Sequence, residues 1–247
     1  MVLVTRPGPQ AAALAQAIQA AGGAAFVFPA LVIEAVPLEV LKAPLARLRD
    51  ADIAIFISPS AAQFGMAAIQ AGGGLSPSTQ IFAVGPGTER ALQAQGVGGV
   101  ITPDGQDSEA LLALPQLSEV AGRHAVIVRG VGGRPLLADT LGARGAHVHF
   151  LECYRRVPPR VDAAPLLARW QAGGIDAVTV TSAETLANLA ALLGEAGTSL
   201  LLRTPLFAPH EKIAEAARRF GVAHVITTPG GDAGLVDGLI NWFRNKP

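Results

Sequence analysis

The sequence predicts an α/β fold, with parallel sheets covered by helices and arranged as two similar lobes. Three observations predict it. Short apolar runs alternate with longer helical patterns, as chains of strand-helix-strand units require. The helical stretches stop at Gly22, Gly96 and Gly221, where a residue without a Cβ takes the left-handed cap conformation. The chain also repeats itself in order, roughly 124 residues on. Val2-Leu3-Val4-Thr5 is echoed by Val126-Ile127-Val128-Arg129, and Asp52-Ile53-Ala54-Ile55-Phe56-Ile57-Ser58 by Asp176-Ala177-Val178-Thr179-Val180-Thr181-Ser182. Gln95-Gly96-Val97 answers Phe220-Gly221-Val222, and Thr102-Pro103 answers Thr228-Pro229. Two similar lobes set two similar sets of loops opposite each other, so a cleft between lobes is the expected ligand site.

Taken in order, the first half predicts strands at Val2 to Thr5, Ala25 to Ile33, Ile53 to Ile57, Gln80 to Val84 and Val100 to Thr102. The second half predicts Ala125 to Arg129, His147 to Arg156, Ala177 to Val180, Leu206 to Ala208 and Val225 to Thr227. Alanine-rich stretches such as Gln10 to Ala21, Glu89 to Gln95 and Glu211 to Phe220 supply helices between them. Prolines gather after the second strand of each half, at Pro37 and Pro44 and again at Pro158 and Pro159. If the chain changes lobe at both places, each lobe holds parts of both repeats. Lobe 1 then takes residues 1–34 and 164–247, lobe 2 takes 39–154, and 35–38 and 155–163 connect them.

Composition excludes several classes. The chain has 247 residues, half of them apolar, with no net charge, so a packed core is expected and no broad field draws nucleic acid or an anionic membrane. The first residues carry no basic stretch followed by an apolar signal core, and no apolar run nears the ~18 residues of a membrane span. The expected location is the cytoplasm. The single cysteine, Cys153, excludes an internal disulfide framework and reads as a buried thiol on a strand. Gly85-x-Gly87 and Gly130-Val131-Gly132-Gly133 lack the third spaced glycine of a dinucleotide fingerprint, and no GxxxxGK[ST] loop occurs. That disfavours a nucleotide-dependent enzyme. The five histidines show no ligand spacing, and no metal is expected.

Several segments, in order, carry a resemblance. They are Val2-Leu3-Val4-Thr5-Arg6-Pro7, Phe56-Ile57-Ser58-Pro59-Ser60-Ala61, Ala83-Val84-Gly85-Pro86-Gly87-Thr88 and Ser108-Glu109-Ala110-Leu111-Leu112. Arg129-Gly130-Val131-Gly132-Gly133-Arg134, Glu152-Cys153-Tyr154-Arg155-Arg156 and Pro209-His210-Glu211-Lys212-Ile213-Ala214 complete the set. Together they resemble the uroporphyrinogen-III synthase family over nearly the whole chain. The sequence departs from that pattern at Ile57 and Ser60, where many relatives carry Thr and Asn. The resemblance implies two flavodoxin-like (Rossmann-like) lobes with parallel sheets, joined by a two-stranded connector. It implies a monomeric lyase, without cofactor or metal, that closes the linear tetrapyrrole hydroxymethylbilane with inversion of the last ring. Water is lost, and a spiro intermediate precedes the final closure. A two-lobe ligand-binding protein without catalysis is the alternative that fold and loops alone permit.

Tyr154, the only tyrosine, falls at the end of a strand by the alternation through His147, His149 and Leu151, and it aligns with the family's tyrosine. As a protonated phenol it is the candidate acid for a departing hydroxyl, or else a packing residue whose hydroxyl finds a bond. Arg6, Arg129 and Arg134 sit just beyond the carboxyl ends of predicted strands, where open α/β sheets bind ligands. Arg129 alternatively pairs with an acid to fix its loop. Arg155 and Arg156 read as solvated or structural. Turns at Ser58 to Ala61, Gly85 to Thr88, Thr181 to Thr185 and Pro209 to Lys212 hand strands over to helices and leave backbone N–H groups for carboxylates. Ser60, Thr88, Ser108 and Ser182 are alternatively helix N-caps. Substrate contacts are thus expected from Ser58, Ser60, Ala61, Gly85, Thr88, Ser108, Gly130, Thr181, Ser182, His210 and Lys212, with His210 alternatively a cap or surface residue.

Overall fold

A computed structural model describes residues 1–245. In chain order its strands are β1 (Val2–Val4), β2 (Ala25–Val27), β3 (Val32–Ala35), β4 (Ile53–Phe56), β5 (Gln80–Ala83), β6 (His124–Gly130), β7 (His147–Val157), β8 (Ala177–Thr179), β9 (Leu206–Ala208) and β10 (Val225–Thr227). The helices are α1 (Gly8–Ala20), α2 (Leu38–Leu48), α3 (Pro59–Ala71), α4 (Pro86–Gln93), α5 (Ser108–Leu112), α6 (Leu136–Ala143), α7 (Ala164–Gln171), α8 (Ala183–Arg203), α9 (Glu211–Phe220) and α10 (Gly231–Arg244). The chain divides into two compact units, one made of Met1–Val32 with Val157 onward, the other of Ile33–Arg156.

The first unit is built on a sheet of order β10-β9-β8-β1-β2, with every neighbouring pair parallel. The second has the order β3-β7-β6-β4-β5, and β7-β6, β6-β4 and β4-β5 are parallel. All residues of β1, β4 and β8 are buried, as strands covered on both faces must be, which is why β1 and β4 read as unbroken apolar runs. Each sheet draws strands from both sequence repeats. In the first, β1 and β2 of the first repeat join β8, β9 and β10 of the second; in the second, β4 and β5 join β6 and β7.

Local chemistry sets the ends of the elements. Ser58 caps α3 by accepting from the Ala61 N–H at 3.0 Å, and Ser182 caps α8 by accepting from the Thr185 N–H at 3.0 Å. Each such cap stabilises its helix by about 1 kcal/mol. Gly221 closes α9 with φ 104°, a conformation that other residues rarely adopt. At 21 residues α8 has the length and composition to cross a membrane, yet Gly194 breaks its geometry and Leu186, Leu189, Leu193 and Leu201 pack into the core of the first unit.

The structure departs from the sequence reading in four places. The single strand expected at Ala25 to Ile33 is two strands in different sheets, because Pro29 has no N–H to donate and the chain changes sheet just beyond it. Val100 to Thr102 is reduced to one bridge, Ile101 to Phe82, since Gly98 and Gly99 before it and Pro103 after it weaken further pairing. Pro44 lies inside α2 rather than in a loop. Ser60, Thr88 and Ser108 are not N-caps: Ser58, Gly85 and Asp107 hold those positions, and Asp107 accepts from the Ala110 N–H at 2.8 Å.

Candidate active site

In each sheet the chain runs outward in opposite directions from one central pair of strands, which opens a crevice beyond their carboxyl ends. In the second unit that pair is β4 and β6; in the first it is β1 and β8. Most of the predicted site residues fall on these edges.

In the second unit, Ser58 follows β4 and its Oγ lies 3.1 Å from the Tyr154 hydroxyl, across 96 residues of sequence. Tyr154 reaches it because the β6-β7 register slips between Arg129 and Gly130: Arg129 pairs with Glu152 but Gly130 pairs with Tyr154, so Cys153 is an extra residue. A bulge of this kind re-aims side chains, and here Cys153 and Tyr154 are both buried although adjacent. The Tyr154 ring packs 5.9 Å from Phe64 and directly against Gly130, where a Cβ would stand 2.6 Å from Cε2. Gly130 is therefore clearance for the phenol. Burial pushes the neighbouring Cys153 thiol up to about 12, which makes it an inert packing group.

Arg129 is 5 % exposed. Its guanidinium lies 4.9 Å from the centre of the Phe150 ring, and its Nε donates to Gly130 O at 3.2 Å and stands 3.8 Å from Glu152. Its Nη groups have no protein acceptor among the described residues. Glu152 also accepts from the Gly132 N–H at 3.1 Å, so it fixes the loop and orients the arginine together. Arg129, Arg134, Ser108, Gln106, Ile57 and Phe150 line a hollow of about 220 Å³. Arg134 itself is exposed and pairs with Glu109 at 3.3 Å. Gly85 and Thr88 stand at the start of α4, with Thr88 buried and its N–H donating to Gly85 O. Ser60 and Ala61 lie in the first turn of α3.

The first unit offers a second edge. Thr5 Oγ1 donates to Thr179 O at 2.7 Å and Thr179 Oγ1 to Leu3 O at 3.2 Å, tying β1 to β8. Just beyond, Arg6 pairs with Asp232, while its buried Nε finds no acceptor among the described residues. Thr181 and Ser182 form the turn into α8. His210 caps α9, its Nδ1 accepting from the Lys212 N–H at 3.1 Å, and Lys212 is exposed. Thr227 first, then Arg218, holds the carboxyl of Glu211 below the usual range.

Larger hollows lie away from the carboxyl ends of these central strands. One of about 420 Å³ is at the amino ends of β1 and β8, lined by Met1, Asp176, Arg244 and apolar residues of α10. Another, of about 720 Å³ beside β10, contains Asp237 and no cation among the described residues. Sequence reasoning missed the acid that caps α5 and the acids that set the arginines. Asp107 had a signal, an Asp directly before Ser-Glu-Ala-Leu-Leu. Glu152 and Asp232 had none, because pairing across the fold leaves no local pattern.

Residues 12–234 match the family model described as uroporphyrinogen-III synthase HemD. The chain is 38 % identical over 224 residues to the uroporphyrinogen-III synthase of Salmonella typhimurium, covering 89 % of this chain and 91 % of that protein. It is 37 % identical over 226 residues to the Escherichia coli uroporphyrinogen-III synthase, with the same coverage of 89 % and 91 %. Among solved structures, a mutant uroporphyrinogen III synthase from the extremely thermophilic bacterium Thermus thermophilus shares the fold with TM-score 0.65 at 21 % identity, covering 99 % of this chain and 98 % of that one. The uroporphyrinogen-III synthetase of Helicobacter pylori does so with TM-score 0.59 at 12 % identity, covering 97 % of each. This chain belongs to the uroporphyrinogen-III synthase family.

Proposed function

We propose that the chain is a lyase that closes hydroxymethylbilane to uroporphyrinogen III with loss of water, as a monomer in the cytoplasm, without nucleic acid or membrane partners. Family membership carries the reaction; the strand-end chemistry supports how this chain performs it. The substrate is a flexible chain decorated with acetates and propionates. A protein of no net charge must hold such a ligand with selected donors. In the second unit the open Nη groups of Arg129 and the first-turn amides of α3 and α4 are such donors, and in the first unit the first turns of α8 and α9 offer the same chemistry. The hollow at Arg129 and Arg134 has room for one carboxylate arm, not for a tetrapyrrole.

Departure of the terminal hydroxyl leaves an electrophilic carbon. Direct attack by the far ring gives the uninverted macrocycle, so the protein must favour attack through the substituted carbon, a matter of orientation. The Tyr154 and Ser58 hydroxyls supply the proton that the departing oxygen needs. A protein that only binds such a ligand is not favoured, because the family is one of enzymes. The purified chain incubated with freshly generated hydroxymethylbilane is expected to yield the inverted isomer in excess. Only the uninverted isomer, at the rate seen without protein, would overturn the assignment.

A further inference from the structure

The hydrogens around Ser58 can be accounted for one by one. Its Oγ accepts from the Ala61 N–H at 3.0 Å and lies 3.1 Å from the Tyr154 hydroxyl. Tyr154 is 2 % exposed, and Ser58 is its one hydrogen-bond partner among the described residues. If Ser58 donated to Tyr154, the phenolic hydrogen would be left in the core without an acceptor, which is costly. If Tyr154 donates instead, both lone pairs of Ser58 Oγ are used and every buried hydrogen is satisfied. The hydrogen of Ser58 then points away from both partners, and Ser58 is half-buried where Tyr154 is enclosed.

We propose that Ser58 is the catalytic hydrogen donor that touches the departing hydroxyl, and that Tyr154 is a positioning residue behind it that replaces the proton. This rests on the synthase reading above. The step balances. The C–O bond of the hydroxymethyl group breaks with its electron pair going to oxygen; the Ser58 proton joins that oxygen, which leaves as water; the Tyr154 proton passes to Ser58 Oγ. A phenolate and a cationic azafulvene remain. The ring proton released when the new macrocycle regains aromaticity returns to the phenolate. The amino end of the 13-residue helix α3 and the Ala61 N–H both favour negative charge on these oxygens. The two donors onto Ser58 also strengthen it as a donor.

The experiment measures formation of the inverted isomer by wild type, Ser58→Ala, Ser58→Thr, Tyr154→Phe and the Ser58→Ala/Tyr154→Phe double variant, with a proton inventory in mixed H2O and D2O. Ser58→Ala is expected to lower kcat by about 100-fold with little change in KM, and Ser58→Thr, which keeps hydroxyl and cap, to recover most of it. Tyr154→Phe should lower kcat by about 10-fold and turn a curved proton inventory into a straight one, and the double variant should be no slower than Ser58→Ala. Wild-type kcat in Ser58→Ala, or losses that multiply in the double variant, would overturn the proposal while leaving the synthase reading intact. A Ser58→Thr protein as slow as Ser58→Ala, although it melts like wild type, would overturn it too. Wild type that forms only the uninverted isomer would overturn both.

Discussion

Gly130→Ala puts the placement of the phenol to a direct test. Residue 130 is not in the left-handed region, so its backbone accepts alanine, and the whole perturbation is the added carbon. That carbon would lie 2.6 Å from Cε2 and 2.7 Å from Cζ of Tyr154. Ordinary carbon contacts are about 3.5–4.0 Å, so the ring must retreat by roughly 1 Å. The Ser58–Tyr154 separation is 3.1 Å. Lengthened to about 4 Å, it is no longer a hydrogen bond. Overpacking costs about 1–3 kcal/mol, and loss of glycine freedom in the unfolded chain returns up to ~1 kcal/mol. The melting temperature should therefore fall, by up to about 10 °C. Because Tyr154 is the only tyrosine, 3-fluorotyrosine labelling gives a single fluorine resonance that reports its surroundings. The resonance should shift, and kcat should drop to within about 3-fold of that of Tyr154→Phe. An unmoved resonance, with wild-type melting and turnover, would refute the reasoning that Gly130 is clearance for this ring.

Three further outcomes follow from the same structure. Cys153, buried and with its thiol pushed up to about 12, should resist iodoacetamide at pH 8 in the folded protein and react fully in denaturant, as mass spectrometry would show. Burial first, then Arg47, His124 and His147, hold His149 below its ordinary value, and Arg47 Nη1 meets His149 Nε2 at 3.3 Å, a contact only the neutral ring accepts. The unfolded chain then takes up that proton more readily. The resulting stability is full above pH ~6.5 and is lost as pH falls through the lowered folded value. His149→Gln should flatten the fall in melting temperature between pH 7 and 5. A Cβ at Gly234 would stand 2.2 Å from the Pro229 carbonyl oxygen, a backbone atom that cannot swing aside. Gly234→Ala should cost about 3 kcal/mol and lower the thermal midpoint by about 6–12 °C, read by calorimetry.

The sequence discloses types and order, and it fails where the deciding contact lies far along the chain. Apolar runs fully buried in parallel sheets, such as Ile53–Phe56, are legible because burial on both faces leaves no polar position. The strand expected at Ala25 to Ile33 misleads because a change of sheet costs only one missing donor, at Pro29. Arg6, Arg129 and Arg134 are legible as strand-end cations, but their partners Asp232, Glu152 and Glu109 are not. Tyr154 is found through alternation and resemblance. The bulge that turns it inward, and the Ser58 oxygen waiting there, depend on register, which no single strand's pattern specifies.

The sharing of strands between the repeats has a bearing on how the chain is made. During synthesis β1 emerges at the start with only β2 to pair with, while its other neighbour, β8, begins at Ala177. At ~5–20 residues per second, that edge waits about 9–35 s for its partner. Residues 33–156 meanwhile contain nearly all of their own sheet and complete it on the ribosome first. The nascent protein thus carries a finished body behind an open apolar strand pair, a period in which ribosome-associated chaperones have something to cover.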